Sequence, residues 1–431
     1  MFTGISLMKF IKPLGQVNRK NILLFLAILG PGIITANVDN DAGGVTTYSL
    51  AGAHFGNSIL WVMIPTMIAL VVIQEMCARM GAVTGKGLSD LIRESFGVKV
   101  TFYVMVALLL TNLGNSVSEF AGIAASLEIF GISKYISVPA AGLLVWLLIV
   151  KGSYKLVEKV FLIACTVYIA YPIAAFMAKP NWGTIITATV VPTLNTDSAY
   201  LMTIIGVVGT TIAPWMQFYQ QAAVVEKGIT IEQYSFSRLD VFVGCIMAIV
   251  VAFFIVVACS STIHTQGLKI ETAADAALAL KPLVGQYAST LFAFGLFNAS
   301  LFAACILPLS TSYYVCEGMG WESGIDRNFK EAPQFFWLFT IIIILSAALI
   351  LIPNAPLIKI MFLSQVVNGI MLPFVLIFML ILINNKRLMG RHCNGPIFNI
   401  IAWLTAIITI LLTLLMTLDM IYPGSVAKII S

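Results

Sequence analysis

Eleven apolar runs, most of them as long as a bilayer crossing requires, leave this chain of 431 residues almost no soluble part. Their approximate limits are 22–50, 58–83, 100–127, 135–151, 159–178, 199–225, 239–261, 284–314, 334–353, 357–383 and 396–422. A hydrocarbon core about 30 Å thick takes roughly 20 helical residues, whereas a barrel strand takes about ten with alternating polarity. Inside lipid the backbone must satisfy its own polar groups, so runs of this length read as helices. A composition of 60% hydrophobic and 10% charged residues agrees, and it excludes a soluble domain. The expectation is one all-α integral membrane unit over residues 1–431, with about 11 transmembrane helices.

The cations orient it. With the N-terminus inside, the inner segments carry eighteen Lys and Arg, among them Lys9, Lys12, Arg19, Lys20, Arg79, Lys86, Arg93, Arg238, Lys386, Arg387 and Arg391. The outer segments carry six: Lys134, Lys179, Lys269, Lys281, Lys359 and Lys428. That bias predicts a cytoplasmic segment over 1–21 and an extracytoplasmic C-terminus in a multi-pass cell-membrane protein. The basic start and the absence of a small-residue cleavage site read as a retained first helix. The net charge of +5 then reports topology and not a nucleic-acid partner. Seven cysteines without a CxxC read as buried thiols. His54, His264 and His392 fall near run ends or in loops, which does not suit a proton relay.

The first run holds the costliest residues. Val38-Asp39-Asn40-Asp41-Ala42-Gly43-Gly44 places two carboxylates and two glycines inside an apolar stretch. The glycines are expected to break the helix and expose backbone carbonyls beside Asp41, the arrangement by which a protein holds a cation at membrane depth. Asp39 and Asp41 are two apart and would face nearly opposite sides of an intact helix. Both reach one ion only if the unwinding starts early; otherwise Asp39 makes an inter-helix contact or lines a vestibule, the reading we favour.

The sixth run breaks at Gly209-Thr210-Thr211-Ile212-Ala213-Pro214-Trp215-Met216-Gln217. Pro214 removes one intrahelical hydrogen bond and frees a carbonyl near Thr210. A plain proline kink is the alternative. The matching break in run one points instead to two five-helix halves, 22–178 and 199–383, related as inverted repeats with a site near the midplane. Run eleven, 396–422, lies outside them. In run ten Gln365 and Asn368 share a helix face, which either lines an ion path or bonds to a neighbouring helix. Glu119 in run three, near Asn112, Asn115, Ser116 and Ser118, is either a functional acid or a structural one. Asp240 beside Arg238 reads as a solvated interfacial pair. Glu128, Glu271 and Asp275 read as charge near the outer surface.

These residues resemble the Nramp divalent-metal transporters over most of runs one to ten. Gly30-Pro31-Gly32 opens run one, and Ala51-Gly52-Ala53 with Phe55-Gly56 closes it. Gln74, Ala78-Arg79, Gly81, Val83-Thr84-Gly85, Leu88 and Arg93-Glu94 form the most specific stretch. Glu119 with Gly122, Glu317-Gly318, Ser364-Gln365-Val366-Val367 and Leu372-Pro373-Phe374 follow in the same order. The resemblance implies a leucine-transporter-like fold, with a 5+5 inverted repeat and broken helices 1 and 6.

The site departs from the family pattern. Where the family has Asp-Pro-Gly-Asn, this chain has Asp41-Ala42-Gly43-Gly44, and where the family has Met-Pro-His it has Ala213-Pro214-Trp215. Gln220 stands for a second histidine and Ser116 for an acid, while Glu119 remains. Loss of the thioether removes a soft ligand, and a roomier oxygen site suits partly hydrated magnesium. The chain is thus most similar to the Nramp-related magnesium transporters. The resemblance implies a secondary transporter importing magnesium, and also manganese, by alternating access without proton coupling. Asp41 would be the charged ligand, carbonyls at Val38 and Thr210 would add oxygens, and Gly44 and Ala213 would leave room for water. Gln365 and Asn368 would approach in an occluded state. Asp39, Asn40, Glu119, Trp215 and Gln217 would line or couple the path, Trp215 as a bulky wall. The expected partners are the cation, as substrate and not cofactor, and the bilayer around a monomer. A proton-coupled manganese or iron symporter, with Met216 as a soft ligand, is the alternative. A transporter-fold receptor is the alternative of another class. No nucleophile–base pair or metal-binding histidine motif points to an enzyme.

Overall fold

In the computed structural model, residues 30–151, 159, 170–193, 195, 197–271, 273–278, 285 and 288–422 are described. The segment 1–21, the start of run one and most of run five lie outside them. Run one is two helices, α1 (Pro31–Val38) and α2 (Ala42–Phe55). A 3-10 stretch leads into α3 (Met63–Thr84), followed by α4 (Leu88–Phe96), α5 (Val98–Glu128) and α6 (Lys134–Lys151). Two short helices, α7 (Ala170–Met177) and α8 (Trp182–Val190), precede the divided sixth run, α9 (Ser198–Thr211) and α10 (Pro214–Glu226). Then come α11 (Tyr234–Thr262), α12 (Ala273–Ala277), α13 (Ala288–Met319), α14 (Pro333–Ile350), α15 (Leu357–Ile383), α16 (Lys386–Met389) and α17 (Pro396–Ile421). Among the described residues, nine helical stretches are long and apolar enough to cross a membrane. One of these, 42–84, joins the second half of run one to run two.

Glycine sets how closely the helices approach. A Cβ on Gly32 would lie 2.5 Å from the Val241 nitrogen, and one on Gly244 would lie 2.5 Å from the Gly32 carbonyl oxygen. The backbones of α1 and α11 therefore touch. Gly209 and Gly369 play the same part between α9 and α15, where a side chain on Gly209 would overlap the Gln365 carbonyl. Small residues at such crossings are how membrane helices gain packing without a hydrophobic drive between them. Around this seam α5 packs on α13 and α15, and α11 covers both α1 and α2.

Two sequence expectations change here. Asp240 is not a solvated partner of Arg238. It is fully buried, and its carboxylate accepts from the backbone N–H groups of Gly30 at 3.2 Å, Gly32 at 2.6 Å and Ile33 at 3.4 Å. It thus caps the start of α1, satisfying donors that no earlier turn can reach and matching the positive end of the helix dipole. Arg238 turns instead towards Glu75 at 3.9 Å, which also pairs with Arg79 at 3.1 Å and accepts from the Tyr234 hydroxyl. Arg79 in turn donates to the carbonyls of His392 and Cys393 at 3.1 and 3.2 Å and to Asn394. A residue read as a topological cation therefore fastens α3 to the segment before α17.

The break in run one also moves. It falls at Asp39–Asp41, not at the glycines, and Gly43 and Gly44 form the first turn of α2. Asp41 adopts extended backbone and its side chain accepts from the Gly44 N–H at 2.7 Å. An aspartate with this geometry starts a helix, so it displaces the break towards the N-terminus.

Replacing Asp240 by Ala should cost about 2–4 kcal/mol, since three buried donors lose a charged acceptor. The thermal unfolding midpoint of the purified protein reads this, and Asp240→Asn, which keeps an oxygen in place, should lose less. A midpoint equal to that of the parent would mean that α1 does not depend on its cap.

Candidate metal site

The two broken runs meet at Gly44. A Cβ there would overlap the Asp39 carbonyl oxygen and would lie 3.2 Å from the Thr210 hydroxyl. Only glycine lets the start of α2 sit between the unwound backbone of run one and the end of α9. The contact is reinforced one turn on. The Tyr48 hydroxyl lies 2.7 Å from the Thr211 hydroxyl and 3.5 Å from Asp39 Oδ2.

The breaks free the carbonyls foreseen. In an unbroken helix the Ala42 N–H would close on Val38; it donates instead to Glu119 Oε2 at 3.1 Å. Thr210 would be closed by the N–H of residue 214, which is proline. Val38 and Thr210 thus each present a carbonyl without its helical partner. Asp41 accepts from the Gly44 N–H at 2.7 Å, so the two acids share the N-terminus of α2. Gly122, one turn on, is needed because a side chain there would overlap Ser300 Oγ and Ala42 Cβ. Glu119 is therefore part of this centre.

The remaining predicted residues sort into three groups. Gln365 belongs to the centre, since its amide lies over Gly43 and a Cβ on Gly43 would overlap it. Asn368 is one step away, donating to Gln365 Oε1 at 2.8 Å. Asn40 and Asp39 flank it: Asn40 donates to the Ala248 carbonyl at 3.2 Å, tethering the break to α11. Asp39 Oδ1 has no hydrogen-bond partner among the described residues. The unwinding starts early, at Asp39, and Asp39 Oδ2 faces the Tyr48 hydroxyl in the second half of the same run.

The expectation that Gly44 and Ala213 leave room for water is not met at Gly44, where a backbone carbonyl and a hydroxyl occupy the position a side chain would take. Ala213 is buried, and its carbonyl accepts from the Met216 N–H at 3.1 Å. In its bonding orientation the Gln217 amide donates to Ala213 and Pro214 at 2.7 and 2.6 Å. Gln217 thus bonds the carbonyls at the start of α10. Trp215 is buried beside Tyr219, with ring centres 6.3 Å apart, and its carbonyl accepts from Ser310 at 3.4 Å.

The donor set is hard. One carboxylate pair, free carbonyls, hydroxyls and amides converge, and no group of three or more His, Cys, Asp or Glu set to hold a metal occurs among the described residues. Away from the centre, Glu128 and Glu271 line a separate cavity of about 450 Å3. Asp275 accepts from the Glu271 N–H at 3.1 Å.

The sequence profile of the natural resistance-associated macrophage protein-like family, Nramp, matches residues 32–419. The chain belongs to the Nramp family. It is 25% identical over 407 residues to the divalent metal cation transporter MntH of Deinococcus radiodurans, covering 91% of this chain and 90% of that one. MntH of Yersinia pestis is 24% identical over 391 residues, covering 89% and 92%. In structure the chain is similar to the Eremococcus coleocola manganese transporter, with a TM-score of 0.75 and 21% identity over 94% of this chain and 88% of that one. A more distant likeness, with a TM-score of 0.58 and 14% identity over 92% and 93%, is to Mhp1, a nucleobase-cation-symport-1 transporter. The fold is thus the all-helical, leucine-transporter-like one expected for this Nramp chain.

The Cβ overlap makes Gly44→Ala a sharp test of the joint between the two breaks. Metal uptake into vesicles should fall at least about tenfold, as one misplaced backbone group in a metal site commonly does. Gly114→Ala, also in a helix but with open space around its position, should keep uptake within about twofold of the parent.

Proposed function

We propose that this chain is a secondary transporter that moves divalent metal ions across the cell membrane by alternating access, with Asp41 as the charged ligand. The observation that carries this reading is the meeting of two opened helices at Gly44, between the Asp39 carbonyl and the Thr210 hydroxyl, with Asp41 bonded to the Gly44 N–H. A cation there meets the negative end of α1 and an acid on the positive end of α2, so charge is balanced on both sides. Membership of the Nramp family and the names of the relatives support the same substrate class.

The finer reading is magnesium, with manganese also carried. Its support is the donor set. With Ala213 in place of a thioether, the donors placed at the centre above are oxygens and an amide, which suits a hard ion that keeps part of its water. The charge bias supports a cytoplasmic N-terminus. Gln220 and Trp215 at the histidine positions support transport without a coupled proton. One observation favours a second reading, proton-coupled manganese transport: Glu119 bonds the backbone of Ala42, next to Asp41, so a second acid remains at the centre to carry a proton.

Uptake of magnesium and manganese into proteoliposomes, with a dye following internal pH, separates the two. Magnesium flux without acidification, lost by at least about a hundredfold in Asp41→Ala, is expected, because a buried cation cannot do without its one charged ligand. Ala213→Met should then shift preference towards manganese by about tenfold or more. Manganese flux with acidification and no magnesium flux would establish the second reading, and Glu119→Gln should then abolish the pH change.

A further inference from the structure

A ladder of buried amides leads away from the centre. Asn112 on α5 donates from Nδ2 to the Leu307 carbonyl at 2.8 Å and to the Thr311 hydroxyl at 2.6 Å, both on α13. Asn115 donates to Asn112 Oδ1 at 3.1 Å and to Asn368 Oδ1 at 2.9 Å. Asn368 on α15 donates back to Asn115 Oδ1 at 3.0 Å and onward to Gln365 Oε1 at 2.8 Å. All four amides are buried.

This ladder has a direction, and its anchor sets it. The Leu307 carbonyl can only accept, so Asn112 must turn its amino group to α13 and its oxygen to Asn115. Asn115 then donates to that oxygen and offers its own to Asn368, whose amino group serves both Asn115 and Gln365. The last amide in the row is thereby oriented as well. Gln365 has its carbonyl oxygen turned back into the ladder. Its amino group, 3.3 Å from Ser364 Oγ, is the part lying over Gly43.

A metal cation needs the opposite face of that amide. Oxygen ligates a hard divalent ion, whereas an NH2 group repels it. We propose that Asn112, Asn115 and Asn368 are positioning residues that hold Gln365 with its oxygen withdrawn from the metal. The cation gains that oxygen only if the amide turns over, which breaks the Asn368–Gln365 hydrogen bond. This rests on the reading of Asp41 as metal ligand. It adds that the neighbourhood of α5 and α15 sets the affinity and releases a bond between them when the ion binds.

Calorimetric titration of the full-length, detergent-solubilised protein with magnesium chloride and with manganese chloride tests it. Asn368→Ala frees the Gln365 oxygen, so both dissociation constants should fall by about fivefold, the equivalent of one neutral hydrogen bond. Asn115→Ala removes the group that fixes Asn368 and should act in the same direction by about twofold. Gln365→Ala should weaken binding, and in that background Asn368→Ala should bring no gain, because the two residues act as a unit. Tryptophan fluorescence on heating identifies which variants are folded.

Folded Asn368→Ala and Asn115→Ala proteins that bind no more tightly than the parent would overturn the proposal. A gain that survives in Gln365→Ala would overturn it as well, since the amide would then not be its source. Asp41→Ala supplies the separate control. Full binding without Asp41 would sink the site reading itself, whatever the ladder variants do. Lost binding in Asp41→Ala with no gain in Asn368→Ala would sink the ladder alone.

Discussion

Opening a helix at membrane depth exposes backbone groups that lipid cannot satisfy, and the rest of this structure is arranged around that cost. Each unsatisfied group is worth several kcal/mol in hydrocarbon. The α1 donors go to Asp240, and the first donors of α2 go to Asp41 and Glu119. At the second break Gln217 and Met216 serve the Ala213 carbonyl. After these debts are met, Val38 and Thr210 still have carbonyls without their helical partners, one at each break, and the two breaks meet at Gly44. The proposed cation site lies where these backbone donors are bound and some backbone acceptors are not.

Close approach is the second condition, and glycine provides it at each joint. Gly44 admits the Asp39 carbonyl, Gly43 admits the Gln365 amide, and Gly122 admits Ala42 and Ser300. Farther out, Gly32 and Gly244 bring α1 against α11, which positions Asp240 under the helix it caps. The same chain thus uses glycine to assemble the centre rather than to unwind it. Aspartate does the unwinding, because a side-chain acceptor at an N-cap competes with continued helix.

Electrostatics and packing then act together. Two carboxyl groups share the N-terminal end of α2, where partial positive charge favours them, while the C-terminal end of α1 favours a cation. The anchored polarity of the Asn112–Asn115–Asn368 row turns the oxygen of Gln365 into the row and its amino group over Gly43.

Much of this was legible in the one-dimensional chain. Apolar runs of bilayer length dictated helices, Pro214 dictated an unpaired carbonyl at Thr210, and an acid in run one marked the centre, because each follows from local backbone chemistry alone. Partners distant in sequence were not legible. Asp240 beside Arg238 looked like a surface pair, yet it meets Gly32 across 208 positions. Asn368 and Asn115 are 253 apart, and their mutual bonds follow only from how α5 and α15 cross. Local pattern determines where a membrane helix must run and where it must open. Which buried group answers each opened bond is decided by tertiary packing, since lipid offers no alternative partner and the nearest helix must supply one.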